Sequence, residues 1–326
     1  MKKWIAILAT TTLLSPIYAA HAADDYPSRA ITWIVPFSAG GPTDSMARNI
    51  ANRLSQEIKQ TILVENKPGA GGTIGATAAA RSDPDGYTFL VGHIGYMAAA
   101  PSLYSKLRYD PVEDFEAVFR FPDTPLVLLV GENSPYKTID ELVAFGKANP
   151  GELNFSNAGV GSTSHLVAAM FASKAEMKIT PIAYKGAGPA LNDLMGGQVD
   201  AMFDQTNTAL PQTRGGKVRA LGLTSAKRMD QFPGVPTMKE KAVPGFQVAT
   251  WYGLYAPKGT PPNVIDTLSS AYKNIMQDKA FTQKMSDQGI LLLSDADYAS
   301  KAFQQHTVDE GKHWAQVIKG AGIKLK

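Results

Sequence analysis

A glycine-rich loop near the start of the chain combines residues suited to binding an anion. Residues 35–44 read Val-Pro-Phe-Ser-Ala-Gly-Gly-Pro-Thr-Asp and follow a strand-like run, Ile31–Val35; a segment with apolar residues at every fourth position comes next. Glycines at such a junction let backbone N–H groups approach a ligand, and a helix start adds unpaired donors and a partial positive charge. An ordinary, well-capped turn explains this loop alone equally well.

A second loop of the same type occurs later in the chain. Residues 159–165 read Gly-Val-Gly-Ser-Thr-Ser-His, after the strand-like run Leu153–Ser156 and before a helical pattern over 166–174. Helix starts rich in hydroxyl groups are typical of sites that hold negative charge. Two such loops in one chain predict a carboxylate that is held from two sides.

The residues needed for catalysis or metal binding do not occur in a recognisable arrangement. No pair of the five histidines has metal-ligand spacing with a carboxylate beside it, and the chain contains neither Gly-x-Ser-x-Gly nor a Gly-Lys-Ser/Thr phosphate loop. The glycine-rich segment 69–75 differs in spacing from a dinucleotide-binding loop, and we interpret it as a tight turn with close helix–sheet packing. We therefore expect a protein that is not an enzyme and uses no cofactor or metal.

Strand-like and helical patterns alternate almost throughout, which predicts an α/β fold with a largely parallel sheet. The predicted strands are Ile31–Val35, Ile62–Glu65, Thr88–Val91, Ala117–Arg120, Leu126–Val130, Leu153–Ser156, Ile179–Ala183, Ala201–Phe203, Val218–Thr224 and Gly253–Ala256. The predicted helices are Thr43–Ile58, Thr73–Arg81, Ile139–Ala148, Ser164–Lys174, Gly188–Met195, Val264–Asp278 and Ala296–Gly320.

Two stretches of the sequence have the character of crossings between two lobes. Residues 119–124 and 246–251 bracket a block of about 120 residues, close to an ordinary domain size. We predict that residues 23–122 plus 248–326 form lobe 1 and that residues 123–247 form lobe 2. Two lobes joined by two crossings make a hinged clamp with the ligand between them.

The N-terminus has the features of a secretory signal peptide over residues 1–22. Lys2 and Lys3 precede an apolar stretch, and residues 20–22 fit the small-x-small cleavage pattern, so we expect cleavage after Ala22 and a periplasmic protein. The chain has no cysteine and hence no disulfides. Removal of the two lysines leaves 30 of the 32 basic residues against 29 acidic ones. This balance gives no reason to expect nucleic acid or a membrane surface as a partner.

An ordered set of short segments resembles one family, the periplasmic substrate-binding receptors of tripartite tricarboxylate transporters, over nearly the whole mature chain. In addition to residues 36–44, the segments are 26–29 (Tyr-Pro-Ser-Arg), 64–72 (Val-Glu-Asn-Lys-Pro-Gly-Ala-Gly-Gly), 83–88 (Asp-Pro-Asp-Gly-Tyr-Thr), 101–104, 109–111, 184–186 (Tyr-Lys-Gly), 196–200 (Gly-Gly-Gln-Val-Asp) and 221–228.

The resemblance implies a type II periplasmic-binding-protein fold, a small carboxylate ligand, and delivery to a transporter with one large and one small membrane subunit. We expect the receptor itself to be a monomer. The site residues that the resemblance implies are Phe37, Ser38, Ala39, Gly40, Gly41, Thr43 and Asp44 in lobe 1, with Gly161, Ser162, Thr163, Ser164 and His165 opposite them and Asp204 at the cleft.

Some of these roles stay open in the sequence. Asp44 is negative, so it is expected to cap its helix or to accept from a ligand hydroxyl, amine or water. His165 is either a structural histidine or a ligand contact, and Asp204 is expected to orient water or Thr206. Lys185 is either a counter-charge or a solvated rim residue.

The segment 92–97 departs from the family pattern. Its His93 and Tyr96 either form an aromatic wall that favours a flat ligand, such as an aromatic carboxylate, or pack beneath the loop.

Two other functions fit the same scaffold. An exported hydrolase or isomerase would need a base near the cleft, and Asp204 and His165 are the candidates. A sensor that presents its loaded form to a membrane receptor kinase would use the same site.

Overall fold

The computed structural model describes residues 26–241, 243 and 245–320. The predicted signal peptide therefore lies outside the described residues. The strands are β1 Ile31–Val35, β2 Ile62–Asn66, β3 Thr88–His93, β4 Phe115–Arg120, β5 Thr124–Gly131, β6 Asn154–Asn157, β7 Thr180–Ala183, β8 Ala201–Gln205, β9 Val218–Leu223, β10 Ala249–Thr250 and β11 Tyr252–Pro257. The helices are α1 Pro42–Ile58, α2 Thr73–Ala80, α3 Ala100–Leu103, α4 Ile139–Ala148, α5 Thr163–Lys174, α6 Ala187–Met195, α7 Thr206–Arg214, α8 Pro262–Gln277, α9 Lys279–Asp287, α10 Asp295–Tyr298 and α11 Ser300–Gly320.

These elements form two separate α/β layers, each around its own sheet. The first sheet has the order β2-β1-β3-β11-β4, in which β1 runs parallel to β2 and β3 and β11 runs antiparallel to β3 and β4. The second has the order β10-β5-β8-β6-β7, with β9 also paired to β5. The predicted α/β class is confirmed. The expectation of a largely parallel sheet was wrong, because five of the nine strand pairings among the described residues are antiparallel and four are parallel.

The chain passes between the sheets near the predicted crossings. It leaves the first sheet after Arg120 and enters the second at Thr124, and it returns between Thr250 and Tyr252. The two residues of β10 lie in the second sheet, three residues beyond the predicted lobe boundary. We keep the names lobe 1 and lobe 2 for the parts of the chain built on the first and second sheets.

Lobe 1 also reaches lobe 2 through the loop that follows α9. The hydroxyl of Thr206 donates to the carbonyl of Gly289 over 2.7 Å, and Leu291 forms a backbone bridge with Asp123. This contact lies beside the first chain crossing. The lobes are therefore held together at three places near the hinge.

The C-terminal helix differs from its prediction in one respect. A single helix was expected over Ala296–Gly320, whereas α10 and α11 are separated at Ala299. Ala299 is extended and forms a backbone bridge with Phe119 of β4, so pairing with a strand interrupts the helix. The face of α11 with Phe303 and Trp314 packs on the core as expected, and both side chains are buried. Within the described ranges, no helix is both long and apolar enough to cross a bilayer.

Four elements were not expected from the sequence. These are the short strand β10, the short helix α3, and the helices α7 and α9. A π-helical turn over Gly95–Ala99 also follows β3. Of these, α7 matters most for the site, because it begins at the cleft between the lobes.

Candidate ligand site between the lobes

The lobe-1 loop joins β1 to α1 and turns sharply at Gly40, which has a φ of +81°. Gly41 caps the helix with extended backbone but offers no side chain, and Pro42 starts the first turn. Proline suits this position because the first N–H groups of a helix lack intrahelical partners. The loop therefore brings the start of α1, with its partial positive charge, to the cleft.

Asp44 holds this loop from within lobe 1. Its carboxylate accepts hydrogen bonds from the N–H of Gly40 at 3.0 Å, from the amide of Asn66 at 2.9 Å and from the guanidinium of Arg48 at 3.0 Å. Burial acts to raise the pKa of Asp44, but these partners together hold it below its ordinary value of 3.8. Asp44 is thus an ionised brace of the loop and is not among the residues that line the cavity. The expected capping role was wrong, because Gly41 is the N-cap of α1 and no side chain caps this helix.

The lobe-2 loop joins β6 to α5 and is held by neutral groups. Ser162 caps α5, and its hydroxyl accepts from the N–H of His165 at 3.4 Å. The hydroxyl of Ser164 accepts from the N–H of Ala158 at 2.9 Å. His165 accepts from the N–H of Gly161 at 3.3 Å through Nδ1, and burial lowers its pKa. These contacts engage His165 within its own loop, and a ligand role for it stays a prediction.

Four helix starts, two loops and one aromatic wall meet at a single cavity between the lobes. Its lining residues are Phe37, Gly41, Pro42, Thr43, His93, Ala158, Ser162, Thr163, Ser164, Ala187 and Gln205. The starts belong to α1 in lobe 1 and to α5, α6 and α7 in lobe 2. The free volume is about 10 Å³, which is room for about one water molecule. The lobes are therefore nearly closed on each other here.

The polarity of this cavity comes from backbone and neutral side chains. Among the described residues, those that line it include no lysine, arginine, aspartate or glutamate. Each helix start carries unpaired N–H donors and about half a positive charge. Hydroxyl groups of Thr43, Ser162 and Thr163 lie between them. The cavity is suited to a small anion and offers no charged side chain to repel it.

His93 forms the wall opposite α5 and links the two lobes. Its Nε2 lies 2.9 Å from the hydroxyl of Thr163, while the N–H of Gly95 donates to its Nδ1 over 3.0 Å. Because Nδ1 accepts, Nε2 carries the hydrogen and donates to Thr163. Burial lowers the pKa of His93 to about 3. His93 is therefore a neutral donor from lobe 1 to lobe 2.

Tyr96 supports His93 from behind and does not line the cavity. The two rings are stacked with centroids 5.4 Å apart, and the Tyr96 hydroxyl donates to the carbonyl of Val91. Phe37 meets the edge of the His93 ring at 5.3 Å and does line the cavity. The aromatic wall that faces the cavity therefore consists of Phe37 and His93, and a ligand role for Tyr96 stays a prediction.

Asp204 lies behind the cavity wall at the end of β8 and is fully buried. One carboxylate oxygen accepts from Thr208 at 2.7 Å, and the other has no hydrogen-bond partner in the described part of the chain. Burial raises the pKa of Asp204 to about 7. The expected partner Thr206 was wrong, because the Thr206 hydroxyl donates to Gly289 in lobe 1.

Ser38, Ala39, Gly40 and Lys185 lie at the rim of the cleft. Both the N–H and the hydroxyl of Ser38 donate to the carbonyl of Lys185, at 3.1 and 3.0 Å. The Lys185 side chain is exposed and does not line the cavity, as the solvated-rim reading expects. Ala39 and Gly40 are exposed at the same edge. Ser38 and Lys185 therefore join the lobes at the rim of the cleft.

Sequence reasoning missed part of lobe 2. Ala187 and Gln205 line the cavity from the starts of α6 and α7, and Ala158 lines it from the loop before α5. The Gly-Ala-Gly sequence at 186–188 after a strand resembles the two predicted loops and would have identified α6. Helix α7 follows β8 without a glycine and contains Pro211, so no simple pattern marks its start.

The described part of the chain contains no cluster of side chains suited to binding a metal ion. In the ranges 26–241 and 245–320, no three histidine, cysteine, aspartate or glutamate side chains lie close enough together to hold an ion.

The chain is similar in sequence and in structure to known proteins. Residues 46–323 match the family model described as tripartite tricarboxylate transporter family receptor. The structure of the periplasmic binding protein BugD is 40% identical, with a TM-score of 0.88, and the alignment covers 92% of this chain and all of BugD.

Two similar solved structures hold a small dicarboxylate. MatC from Rhodopseudomonas palustris, with bound malate, is 36% identical with a TM-score of 0.86, over 90% of this chain and all of MatC. Rpa4515 from R. palustris, with adipate, is 34% identical with a TM-score of 0.87, over 92% of this chain and 99% of Rpa4515.

Proposed function

The chain belongs to the tripartite tricarboxylate transporter receptor family, whose members are periplasmic solute-binding proteins, and we propose that it captures a small dicarboxylate between its lobes. We further propose that the loaded form delivers this ligand to the membrane subunits of a transporter of that family. The mature protein acts as a monomer after cleavage behind Ala22. The family and the two-lobed fold were the leading prediction from the sequence.

One observation carries the ligand class. Helix starts from both lobes meet at one cavity whose lining, within the described chain, includes no charged side chain. A carboxylate placed there accepts hydrogen bonds from α1 on one side and from α5, α6 and α7 on the other. Both lobes then gain contacts only when they are closed, so the ligand stabilises the closed form.

The malate of MatC and the adipate of Rpa4515 support a dicarboxylate of four to six carbons. The first carboxylate occupies the helix starts, and the chain of the ligand passes along Phe37 and His93. A free volume of about 10 Å³ is far smaller than such a molecule. The lobes must therefore separate for the ligand to enter, and rotation about the two crossings provides that movement.

The arrangement of possible bases favours a receptor over an enzyme. Asp204 and His165 were the two candidates for a catalytic base, and neither is among the residues that line the cavity. His165 is engaged with Gly161, and Asp204 lies behind the wall with Thr208. We propose that the ligand leaves the protein chemically unchanged.

The test is a thermal-shift screen of residues 23–326 with malate, adipate and mono-, di- and tricarboxylates, followed by calorimetry. A ligand present at 100 times its dissociation constant stabilises the fold by about 2.7 kcal/mol. We expect the shift to be confined to one carboxylate class. A folded protein that is stabilised by none of these acids would contradict the proposal.

Substitution of Thr163 tests whether the ligand occupies this cavity. Thr163→Val removes the hydroxyl that lines the cavity and accepts from His93. We expect affinity for the acid identified in the screen to fall about fivefold, since one hydrogen bond contributes about 1 kcal/mol. Thr267→Val is the control, because its hydroxyl bonds only to its own helix on an exposed face. Equal affinities in the two variants would place the ligand elsewhere.

A further inference from the structure

A further contact between the lobes lies outside the cavity, at the glycine-rich turn before α2. Four consecutive residues of this turn have positive φ: Gly69 at +136°, Ala70 at +48°, Gly71 at +62° and Gly72 at +102°. The sequence indicated only a tight turn packed against the sheet here. We call residues 69–72 the glycine turn.

The tip of the lobe-2 loop rests directly on the glycine turn. A Cβ atom built on Gly71 would lie 2.1 Å from the carbonyl oxygen of Val160, far inside any allowed contact. A Cβ atom on Gly159 would meet the Cα of Gly71 at 3.4 Å. The lobe-2 backbone thus approaches Gly71 as closely as it does only because Gly71 has no side chain.

Tyr104 fastens the same contact from the side. Its hydroxyl lies 3.0 Å from the carbonyl of Val160 in lobe 2 and 3.1 Å from the carbonyl of Ala70 in lobe 1. It therefore donates to a carbonyl on either lobe. The ring also supports Gly161, since a Cβ atom there would meet Cε2 of Tyr104 at 3.5 Å.

The contact is continuous with the ligand site along the backbone. Residues 159–161 lead directly into Ser162, Thr163 and Ser164, which line the cavity at the start of α5. A displacement of Val160 away from Gly71 therefore moves the start of α5 away from α1. The position of this loop sets the distance between the two helix starts that hold the anion.

We propose that the glycine turn and Tyr104 form the seat that receives Val160 when the lobes close, and that Gly71 sets how far they close. These are positioning residues: they do not line the cavity, yet they control ligand affinity. Any side chain at position 71 holds the lobes apart. The link to affinity rests on the proposed function, whereas the effect on closure does not.

The main test is Gly71→Ala, with Gly216→Ala as a matched control. Gly216 has a similar φ of +69°, but a Cβ atom there would have no neighbour within 4 Å. Both variants carry the strain of a left-handed alanine, and only Gly71→Ala meets the opposite lobe. We expect affinity for malate or adipate, whichever binds the native protein, to fall at least tenfold in Gly71→Ala and to stay native in the control.

A milder variant separates the hydroxyl from the steric contact. Tyr104→Phe leaves the ring against Gly161 and removes only the hydroxyl, with its bonds to Val160 and Ala70. We expect a fall in affinity of about threefold, smaller than that of Gly71→Ala. Native affinity in both Gly71→Ala and Tyr104→Phe would overturn the proposal.

A distance measurement tests closure without relying on a ligand. The chain has no cysteine, so the exposed residues Lys106 and Lys174, one on each lobe, can be replaced by cysteine and spin-labelled. In the ligand-free protein, we expect Gly71→Ala to shift the distance distribution to longer values than Gly216→Ala does. Identical distance distributions in Gly71→Ala and Gly216→Ala would contradict the proposed role of Gly71 in closure. If the native protein binds no carboxylate, the proposed function fails, and this comparison still decides the role of the seat.

Discussion

The two glycine-containing loops that line the cavity share one plan, yet each lobe holds its loop by different chemistry. In lobe 1 an ionised aspartate, Asp44, binds the loop, the sheet and Arg48 together. In lobe 2 the loop is held by neutral groups, namely the hydroxyls of Ser162 and Ser164 and the ring of His165. Either an ionised or a neutral side chain can therefore hold a helix start at the cavity. An ionised side chain is suitable only when hydrogen-bond and ion-pair partners within its own lobe compensate its charge.

The contrast extends to the two buried aspartates. Asp44 has partners for both oxygens, and its pKa lies below the ordinary value, so it stays ionised. Asp204 in lobe 2 has one oxygen without a partner among the described residues, and its pKa is raised to about 7. The same side chain therefore carries charge in one lobe and holds a proton up to about neutral pH in the other.

Loss of the charged brace should have the largest effect. In Asp44→Ala, three groups lose their acceptor, and we expect the free energy of unfolding at pH 7 to fall by about 3 kcal/mol. Since the pKa of Asp44 is lowered in the folded state, its stabilisation is present above the ordinary value of 3.8 and lost as pH falls below it. Urea unfolding at pH 7 and pH 3 should therefore give a smaller difference at pH 3.

The control for this prediction is Asp140→Ala. Asp140 also lies in the first turn of a helix, but it is exposed and has only a distant lysine partner at 3.7 Å. We expect a change within about 0.5 kcal/mol. A loss for Asp44→Ala as small as that of the control would mean that Asp44 does not brace the loop.

Substitution of the second aspartate should have an intermediate effect of the opposite sign. The pKa of Asp204 is raised in the folded state, so its contribution to stability is fully present below 3.8 and is lost as pH rises towards 7. Asp204→Asn carries no charge at any pH. Relative to the native protein, we expect this variant to gain about 2 kcal/mol between pH 5 and pH 8, because one pKa unit corresponds to about 1.4 kcal/mol.

Urea unfolding at the two pH values measures this gain, and Asp230→Asn serves as the exposed control. A stability difference for Asp204→Asn that does not change with pH would show that Asp204 is ionised throughout. The contrast between the two lobes would then be lost.

Removal of the neutral cap should have the smallest effect. Ser162→Ala removes the hydroxyl that accepts from His165, and N-cap substitutions of this type cost about 1 kcal/mol. Lobe 1 has no equivalent, because Gly41 caps α1 without a side chain. Chemical unfolding should show this loss equally at pH 5 and pH 8, unlike the pH-dependent gain of Asp204→Asn. Ser270→Ala, at an exposed position of α8, is the control. A loss of stability in Ser162→Ala no greater than that in Ser270→Ala would contradict the capping role of Ser162.

The sequence predicted the features that arise from local patterns. The bounds of β1 and α4 agree with the structure, and α5 was predicted within one residue, because apolar periodicity and the Ser-Thr-Ser start act over a few residues. Helix α7 was missed because Pro211 and its polar first turn hide the pattern. The break at Ala299 depends on pairing with Phe119, about 180 residues away in the chain, and local patterns do not carry such information.

The site also contains features that local patterns predict and features that depend on long-range contacts. The two glycine loops were predicted because strand, glycine and helix follow one another in the chain. The bond between His93 and Thr163 and the seat of Val160 on Gly71 join residues 70 or more positions apart. Only the folded arrangement of the lobes brings these residues together. Long-range contacts, rather than the loops, account for most of what sequence reasoning missed.

The construction of the cavity from helix starts also affects how such receptors can diverge. A backbone N–H group is present whichever residue other than proline occupies the position, so point mutations rarely delete the donors that we propose for the first carboxylate. The remaining wall is formed by side chains such as Phe37, whose identity can change without loss of a backbone donor. Gene duplicates of this receptor can therefore change their ligand specificity by substitutions in the wall, while the backbone donors of the helix starts are retained.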